Sequence, residues 1–330
     1  MSRRRFIVRA IALGVAVAAV RTEGQPTRRL PRVAFVTSFS EADGKGPDPV
    51  DESVRAFVHG LRDLGLVDGR DIVVERHSIQ GRIQQVPAVM QDLVRRGVDV
   101  IVTEGGPAVW AAHRATDRIA IVGVVDEVLD MQIIDSLARP GHNFTGIGEY
   151  DTAIHAKRLQ ILKEAVPAIS RVAVICYHQG PNDRGRWRAD LESGARGMKL
   201  DVLWVGVDTP EEYAAGFATI VRRRADAIYV TSTHVNDRNA KLIAEFALKH
   251  RLPSFGFAEQ GMLLSYWSES KEVFGRVAVL VKKILDGARP GDLPFEQPTK
   301  FALIVNQKTA RALGVTLPRA LLLRATEIIQ

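Results

Sequence analysis

Short apolar runs alternate with amphipathic stretches along almost the whole chain of 330 residues. In the amphipathic stretches the apolar residues recur at three- and four-residue spacing, which is typical of helices with one buried face. The pattern predicts helices at residues 51–65, 84–97, 107–116, 156–166, 210–224, 238–251 and 273–287. A further helix is predicted at residues 128–137.

The apolar runs between these helices are short and nearly continuous rather than alternating. Continuous apolar strands are typical of parallel sheets that helices cover on both faces. The sequence therefore predicts an α/β fold with open, doubly wound parallel sheets. The predicted strands lie at residues 32–38, 71–78, 98–104, 119–125, 144–150, 171–177, 200–207, 226–232, 253–257, 263–267 and 300–306.

A weak internal repeat runs through the pattern. The segment RVAFV at Arg32 returns as RVAVI at Arg171, and LVRRGVDVIV at Leu93 returns as IVRRRADAIY at Ile220. Two matches in the same order indicate that two halves of the chain share one architecture. Open α/β sheets bind ligands beyond the carboxyl ends of their strands, so we expect a cleft between two lobes.

The first 25 residues predict an export signal. MSRRRFIVR is a basic start, and AIALGVAVAAV is an apolar run of signal-peptide length, too short to span a bilayer as a mature helix. SRRRF also resembles the twin-arginine signal, so the twin-arginine and Sec routes both stay open. This segment carries +4 of the formal charge of +7, and the remaining +3 weakens a nucleic-acid interpretation.

The turn TEGGPAVW joins a predicted strand to a predicted helix. Gly105 and Gly106 allow a close backbone approach, and Pro107 suits the first helical position. A helix start of this kind favours an anion, and we expect it to bind a carboxylate with help from Thr103. The alternative is a turn that only reverses the chain.

Five segments together resemble a known family. HGLRDLGLVDGRDIVVE, DLVRRGVDVIVTEGGPA, IIDSLARPGHNFTGI, KRLQILKEAVPAISRVAVI and LPFEQPTKFALIVNQKTARALGVTLPRALLLRATEII are similar to signatures of extracytoplasmic substrate-binding proteins of ABC transporters. The resemblance is to members with the type I periplasmic-binding-protein fold, and it extends from about Arg32 to Ile329.

This resemblance implies a monomer with two lobes, a three-segment hinge and a small ligand that is delivered to a permease in the inner membrane. It places residues 30–148 and 264–292 in lobe one, and residues 149–263 and 293–330 in lobe two. The crossings are expected near Gly148, Leu264 and Leu293. The predicted hinge residues are Thr145, Gly148, Ser265 and Tyr266.

Candidate ligand-binding residues follow the strands of both lobes. In lobe one they are Ser38, Phe39, Asp126 and Glu127, besides those of the TEGGPAVW turn. Asp126 is placed to take a ligand amine or to cap the predicted helix at 128–137. In lobe two they are Tyr177, His178, Thr231, His234, Phe257 and Glu259. Tyr177, His178 and His234 depart from the family pattern, so the ligand stays open between an amino acid and an aromatic or other organic carboxylate.

Other functional classes lack their signals. An enzyme on paired Rossmann-like lobes needs a G-x-G-x-x-G turn, which is absent after the first strand. His178, His234, Asp183 and Asp237 have no spacing typical of a metal site, so we predict no metal and no cofactor. The single cysteine, Cys176, ends an apolar run and is predicted to be buried rather than catalytic. The leading hypothesis is a periplasmic solute-binding protein; a ligand sensor for a membrane receptor is the alternative.

Overall fold

The computed structural model describes residues 29–38, 41–79, 82–126, 128–129, 131–148, 153–177 and 186–330. The predicted export signal lies outside this range. Twelve strands form two sheets in the described part of the chain. The strands are β1 (Arg32–Thr37), β2 (Val73–Ser78), β3 (Val100–Glu104), β4 (Ala120–Val124), β5 (Phe144–Ile147), β6 (Arg171–Cys176), β7 (Asp201–Gly206), β8 (Ala227–Val230), β9 (Ser254–Phe255), β10 (Leu264–Ser268), β11 (Phe301–Asn306) and β12 (Glu327–Ile329).

Helices connect most of the strands, and short 3-10 helices lie at Ile83–Gln85, Pro210–Glu212, Ala258–Gln260 and Pro290–Asp292. The α-helices are α1 (Glu52–Asp63), α2 (Val86–Arg96), α3 (Gly106–Ala115), α4 (Ala153–Ala165), α5 (Arg186–Gly197), α6 (Tyr213–Arg222), α7 (His234–Arg238), α8 (Ala240–Lys249), α9 (Ser270–Leu285), α10 (Gln307–Leu313) and α11 (Arg319–Arg324). Among the described residues, no helix has the length and apolar character needed to cross a bilayer.

The first sheet has the order β2-β1-β3-β4-β5, and all of its strands are parallel. Successive residues of each strand point to opposite faces, so β1 buries Val33 and Phe35 on one face and Ala34 and Val36 on the other. Helices α1 and α9 cover the first of these faces, and α2 and α3 cover the second. The predicted doubly wound parallel sheet is confirmed.

The second sheet has the order β12-β11-β10-β9-β8-β6-β7. Its strands are parallel except at the β10–β11 pair, which is antiparallel. Two apolar clusters lie on its two faces, one involving α4 and α5 and the other α6 and α8. The chain therefore folds into two α/β lobes, each built around one sheet.

The internal repeat has a structural basis. The order β2-β1-β3-β4-β5 in the first sheet corresponds to β7-β6-β8-β9-β10 in the second. Arg32 begins β1, and its backbone N–H donates to Asp99 at 2.7 Å; Arg171 begins β6, and its backbone N–H donates to Asp226 at 2.9 Å. Each guanidinium also donates to a backbone carbonyl at the end of the helix that comes just before this aspartate, Arg96 in α2 and Arg223 after α6. The repeated residues thus perform the same task at the amino edge of each sheet.

The chain crosses between the sheets later than two of the expected boundaries. Leu264–Ser268 is a strand of the second sheet, so the chain leaves this sheet after Ser268 and not near Leu264. Helix α9 then packs on α1 in the first lobe. Beyond Leu293 the chain still follows the first sheet, because Glu296 N–H donates to Gly146 and Gly148 N–H donates to Glu296.

The helix predicted at residues 128–137 does not form. The described residues there adopt turns and bends, although Val128 and Ile133 are buried in the first lobe. Gln132 has a φ of 55°, which a right-handed helix cannot contain. The carbonyl of Leu137 also accepts a hydrogen bond from Phe295 N–H, which ties this segment to the returning chain.

Candidate ligand-binding site

The sequence-predicted residues lie where parallel strands end. In the first lobe Ser38 follows β1, Thr103 lies near the end of β3 and Asp126 follows β4 by two residues. In the second lobe Tyr177 follows β6, Thr231 follows β8 and Phe257 comes soon after β9. Phe39, Glu127 and His178 lie outside the described residues. The remaining candidates therefore gather on the carboxyl edges of the two sheets, where α/β folds bind ligands.

The TEGGPAVW turn leaves fewer free backbone donors than the sequence predicts. Gly105 has a φ of 84° and donates its N–H to the carbonyl of Val124 at 2.9 Å. The N–H groups of Ala108 and Val109 both donate to Gly105, and Pro107 has no N–H. In the first turn of α3, Gly106 N–H alone has no acceptor among the described residues. An anion at this turn would be held by one backbone donor and not by several.

Two features at the turn are those expected of a ligand site. No atom lies within 4 Å of the place where a Cβ of Gly106 would be, so the space beside the backbone is open. Thr103 is 1% exposed, and its hydroxyl has no hydrogen-bond partner among the described residues. Buried hydroxyl groups usually have a hydrogen-bond partner, so the Thr103 hydroxyl is able to form a further hydrogen bond, for example to a ligand.

Glu104 is a candidate that the sequence-based selection missed. It ends β3, and its carboxylate accepts a hydrogen bond from the hydroxyl of Thr37, which ends β1. Burial raises the pKa of Glu104; the Thr37 hydrogen bond opposes this change, and the negative charge of Asp51 adds to it. A buried carboxyl at a strand end is the kind of group that binds a cation or an ammonium.

Asp237 is its counterpart in the second lobe. It lies in α7, just after β8, and Ser232 Oγ donates to it at 3.2 Å. Part of the Asp237 side chain is accessible to solvent, but protein atoms lie on most sides of its carboxyl. A group that lines a cleft has both properties. Burial raises the pKa of Asp237 to about 7, and the charge of Glu104 in the other lobe contributes to the increase. The charge of Glu104 therefore acts on the Asp237 carboxyl across the lobes.

A buried hydrogen-bond network supports the turn that carries Asp237. Asn236 is fully buried; its amide donates to the carbonyls of Thr231 and Ile175, and its oxygen accepts from Tyr213 Oη at 2.7 Å. The hydroxyl of Thr231 donates to Ile175 at 3.1 Å. The Thr231 hydroxyl was expected to contact a ligand. In this structure it instead connects the ends of β8 and β6.

Aromatic side chains occupy the same edge of the second sheet. Trp267 lies in β10 and Phe257 follows β9, and their ring centroids are 6.1 Å apart in a stacked arrangement. Arg158 of α4 places its guanidinium 3.9 Å from the centroid of Trp267 and donates through Nε to the carbonyl of Tyr266 at 2.9 Å. Arg158 is 1% exposed, whereas a basic residue in an amphipathic helix usually indicates the solvent face.

The predicted hinge residues lie at or beside the crossings. Thr145 is fully buried and donates its hydroxyl to the carbonyl of Leu293 at 2.9 Å. A Cβ at Gly148 would lie 1.8 Å from the carbonyl oxygen of Val125, so only glycine fits there. Ser265 is fully buried, and Tyr266 stacks on a phenylalanine of the neighbouring strand β11.

Further contacts hold the second and third crossings together. Glu269 N–H donates to the carbonyl of Lys300 at 3.0 Å. The carboxylate of Glu272, in the first turn of α9, accepts from the N–H groups of Thr299 and Lys300 at 3.0 and 2.7 Å. Partial burial acts to raise the pKa of Glu272, but hydrogen bonds from the Thr299 hydroxyl and from the N–H groups of Lys300 and Thr299 outweigh it, so the pKa is lowered. The two segments are therefore placed to move together if the lobes rotate.

The other candidates have less structural support. Glu259 lies exposed in the 3-10 helix Ala258–Gln260, and His234 begins α7. In the part of the chain that the structure describes, no three His, Cys, Asp or Glu side chains converge as metal ligands would. Cys176 is 1% exposed, so the predicted buried thiol is confirmed.

The sequence matches the family model for ABC transporter substrate binding proteins over residues 45–329. It is also similar to a tyrosine-binding protein of Clostridioides difficile, with 22% identity over 271 residues that cover 81% of this chain and 77% of the relative.

Solved structures share the fold. A conserved domain protein from Vibrio cholerae has a TM-score of 0.81 and 22% identity, covering 91% of this chain and 100% of its own. A domain from Streptococcus pneumonia in complex with L-Trp has a TM-score of 0.80 and 20% identity, with the same coverage. The ligand-free, open form of an adhesive substrate-binding protein from Clostridium difficile has a TM-score of 0.67 and 20% identity, covering 91% and 99%. With two α/β lobes and a family match that spans most of its length, the chain belongs to the ABC transporter substrate-binding proteins.

Proposed function

We propose that this protein captures an α-amino acid between its lobes and delivers it to the permease of an ABC importer. The observation that carries the proposal is the pair of strand-end carboxyls Glu104 and Asp237, which come from different lobes; the charge of Glu104 contributes to the raised pKa of Asp237. Two carboxylates that repel each other across a cleft favour a bound ammonium group. A charge-assisted hydrogen bond to an ammonium is about twice as strong as a neutral one.

The ligand carboxylate would lie at the other side of Glu104, on the TEGGPAVW turn. Gly106 N–H and the Thr103 hydroxyl supply two donors there, and the dipole of α3 adds a smaller attraction. An amino acid presents an ammonium and a carboxylate on one carbon. The neighbouring positions Glu104 and Gly106 would therefore recognise the two groups together.

Closure of the lobes is the proposed mechanism, and no bond is made or broken. A ligand that contacts both lobes stabilises the closed arrangement by its higher affinity for that state. The relatives that bind tyrosine and L-Trp support an amino acid as the ligand.

Calorimetry with three related compounds tests the recognition of both charges. Purified protein would be titrated with L-tyrosine, with its methyl ester and with 3-(4-hydroxyphenyl)propionate, which lacks the amine. We expect each analogue to bind at least about tenfold more weakly, because each loses a charge-assisted hydrogen bond of roughly 1.5–3 kcal/mol. Equal binding of the compound without the amine would contradict the role of Glu104 and Asp237.

Delivery to a permease is tested in cells. A strain that lacks this protein should take up labelled amino acid more slowly, and the wild-type gene should restore uptake. Normal uptake, together with loss of a transcriptional or chemotactic response to the amino acid, would instead identify a sensor.

We also propose that residues 1–25 are removed and that the remaining chain acts as a monomer in the periplasm. Intact-mass analysis of periplasmic protein should show a chain without Met1, and retention of Met1 would contradict the proposal. Replacing Arg3 and Arg4 together by Lys should block export if the twin-arginine route is used, because that route reads the arginine pair.

A further inference from the structure

A row of basic turns lies at the amino edge of the second sheet. Helices α5, α6 and α8 are each followed by a turn residue with positive φ: Lys199 (56°), Arg224 (53°) and Arg251 (54°). These turns lead into β7, β8 and β9, which belong to the run β9-β8-β6-β7 of neighbouring parallel strands. Neighbouring strands are about 4.8 Å apart, so the three turns lie along roughly 15 Å of one edge.

The first lobe has glycine at the equivalent turns. Gly65 follows α1 with a φ of 82°, and Gly97 follows α2 with a φ of 62°. In both lobes the N–H of the turn residue donates to the carbonyl three positions earlier, so the turns have the same construction. A side chain with a Cβ is strained in this conformation, whereas glycine is not. The second lobe therefore holds basic side chains at turns where the backbone favours glycine.

The helix dipole does not account for these three side chains. A basic residue in the last turn of a helix is favoured by the dipole, and α5, α6 and α8 already have Arg196, Arg222 and Lys249 there. Helices α1 and α2 of the first lobe also have basic residues in their last turns, and glycine follows them. The turn residues of the second lobe thus add positive charge beyond what its helices require.

The second lobe also lacks the acids that neutralise the corresponding arginines of the first. The arginines that end α2 form ion pairs with Asp92 and Glu75. At the equivalent positions of the repeat the second lobe has Thr219 and Leu203. Among the described residues, the arginines that end α6 form no ion pair with a carboxylate.

Two acids do lie at this edge, and both bind Arg171 at the start of β6. Asp201 accepts from its Nε at 2.7 Å, and Asp226 accepts from its backbone N–H at 2.9 Å. They offset part of the charge, but more basic side chains are exposed there. These define the basic edge: Lys199, Arg222, Arg223, Arg224, Lys249 and Arg251.

Exposed apolar side chains lie within the basic edge. Val221 in the last turn of α6 is 48% exposed, and Leu248 in the last turn of α8 is 42% exposed. The two helices lie side by side, because Phe217 and Phe246 stack between them with centroids 3.9 Å apart. Basic and apolar side chains on one surface are typical of proteins that lie on membranes, since the former attract anionic headgroups and the latter enter the layer beneath. A nucleic-acid backbone would use only the charges.

We propose that the basic edge binds the protein to a membrane surface that contains anionic phospholipids. The ligand candidates lie on the carboxyl edge of the same sheet, at the opposite end of its strands, so the bound protein keeps that edge accessible. The proposal does not depend on which ligand the protein takes.

Co-sedimentation with vesicles tests the proposal. The purified protein should bind vesicles of mixed phosphatidylcholine and phosphatidylglycerol at least about tenfold more tightly than vesicles of phosphatidylcholine alone, and salt should weaken the binding. Replacing the three turn residues together, Lys199→Gly, Arg224→Gly and Arg251→Gly, should weaken binding to the mixed vesicles at least about tenfold. The melting temperature should stay within about 2 °C of the wild-type value, because glycine adopts the positive φ without strain.

A matched control removes three exposed charges from the first lobe: Arg114→Gln, Arg118→Gln and Arg289→Gln. It has the same net charge as the glycine variant and should bind the mixed vesicles as the wild type does. If the folded glycine variant binds them as the wild type does, or if the control loses as much binding, the basic edge is not the docking surface.

A third variant distinguishes a membrane from a soluble polyanion. Val221→Ser combined with Leu248→Ser keeps every charge of the basic edge, so it should weaken binding to mixed vesicles and leave binding to heparin unchanged. If this variant binds both as the wild type does, the edge recognises negative charge in general, and the assignment to a membrane is wrong.

Discussion

Gly106 has open space where the side chain of a larger residue would lie. Because no atom lies within 4 Å of that position and its φ is not positive, a larger residue can be accommodated without strain in the fold. We expect Gly106→Val to weaken amino-acid binding at least about tenfold while it changes the melting temperature by no more than about 2 °C. Calorimetry and thermal unfolding measure the two effects.

Gly197→Val is the matched control for this prediction. Gly197 ends α5, and a Cβ there also meets no atom within 4 Å. The control should bind the amino acid as the wild type does. If Gly106→Val is folded and also binds normally, the TEGGPAVW turn only reverses the chain.

Asp237 is expected to destabilise the protein above neutral pH. Because its folded-state pKa is about 7 against an ordinary 3.8, the folded state holds a proton between about pH 4 and 7 that the unfolded state has lost. Stability therefore falls as pH rises through this window. Asp237→Asn cannot ionise, so we expect it to raise the melting temperature at pH 8 by about 1–2 °C, a modest value because the side chain borders solvent.

The pH dependence separates this effect from a general change in stability. The difference between Asp237→Asn and the wild type should shrink toward pH 4. Asp117→Asn is the control for the loss of one carboxyl, because the Asp117 side chain is 97% exposed. If the difference between Asp237→Asn and the wild type stays constant with pH, the pKa of the Asp237 carboxyl in the folded wild type is not raised to near 7. The proposed function further requires this variant to bind amino acids more weakly.

Single residues also show where prediction from sequence stops. The TEGGPAVW turn was correctly placed at a strand end from its glycines and proline. Glu104 within it was passed over, since a glutamate at the end of a strand usually indicates solvent. Its environment depends on Thr37 in another strand and on Asp51 in another helix, and sequence periodicity carries no information about such contacts.

Among the elements, α1 and α9 make the closest helix pair in the first lobe. A Cβ on Gly60 of α1 would lie 2.9 Å from the Cβ of Ala278 on α9, so this glycine sets the distance between the helices. We expect Gly60→Ala to destabilise the protein by about 1 kcal/mol, because the cost of overpacking exceeds the gain in helix propensity. Urea unfolding measures the change.

Gly275 in α9 gives the opposite control. A Cβ there meets no atom within 4 Å, so Gly275→Ala gains helix propensity without a clash. We expect it to stabilise the protein by about 0.5–1 kcal/mol. Stabilisation by both substitutions would mean that the two helices can separate without cost.

Elements were predicted best where one period is sustained. Most of the apolar strands and long amphipathic helices were found, but α5 was not predicted. The helix at 128–137 was wrong, although Val128 and Ile133 within it are buried. The adjoining loop is fixed by a distant segment: Gly141 N–H donates to Gly291, and a Cβ on Gly291 would lie 2.5 Å from the carbonyl carbon of Gly141. That contact explains the glycine at position 291, whereas Gly141 of the signature SLARPGHNFTG has a φ of 78° and a Cβ there would lie 2.2 Å from Asp135 Oδ2. Local periodicity could not reveal either contact.

At the scale of the whole molecule, the repeated segments around Arg32 and Arg171 correctly indicated two similar lobes. The points at which the chain crosses were harder to predict. β10 was correctly predicted as a strand but was assigned to lobe one instead of lobe two. An apolar run indicates a strand without indicating which sheet the strand joins. Its neighbours are β9 and the antiparallel β11, and the latter lies more than thirty residues further along the chain.

Helix α9 has a consequence for synthesis. It supplies Val273, Phe274, Val277, Ala278, Leu280 and Val281 to the core of the first lobe, and β11 supplies Leu303 and Val305 to the core of the second. A nascent chain that has reached only Glu269 therefore has neither core complete, however long the ribosome pauses there. The first core waits for α9, and the second waits for β11 and for the later residues Ala310 and Leu321. Until α9 has been made, α1 meets the sheet through Phe57 and Phe35 but lacks its partner helix. Because the chain returns to each lobe after leaving it, neither lobe can be completed from one continuous stretch of the chain.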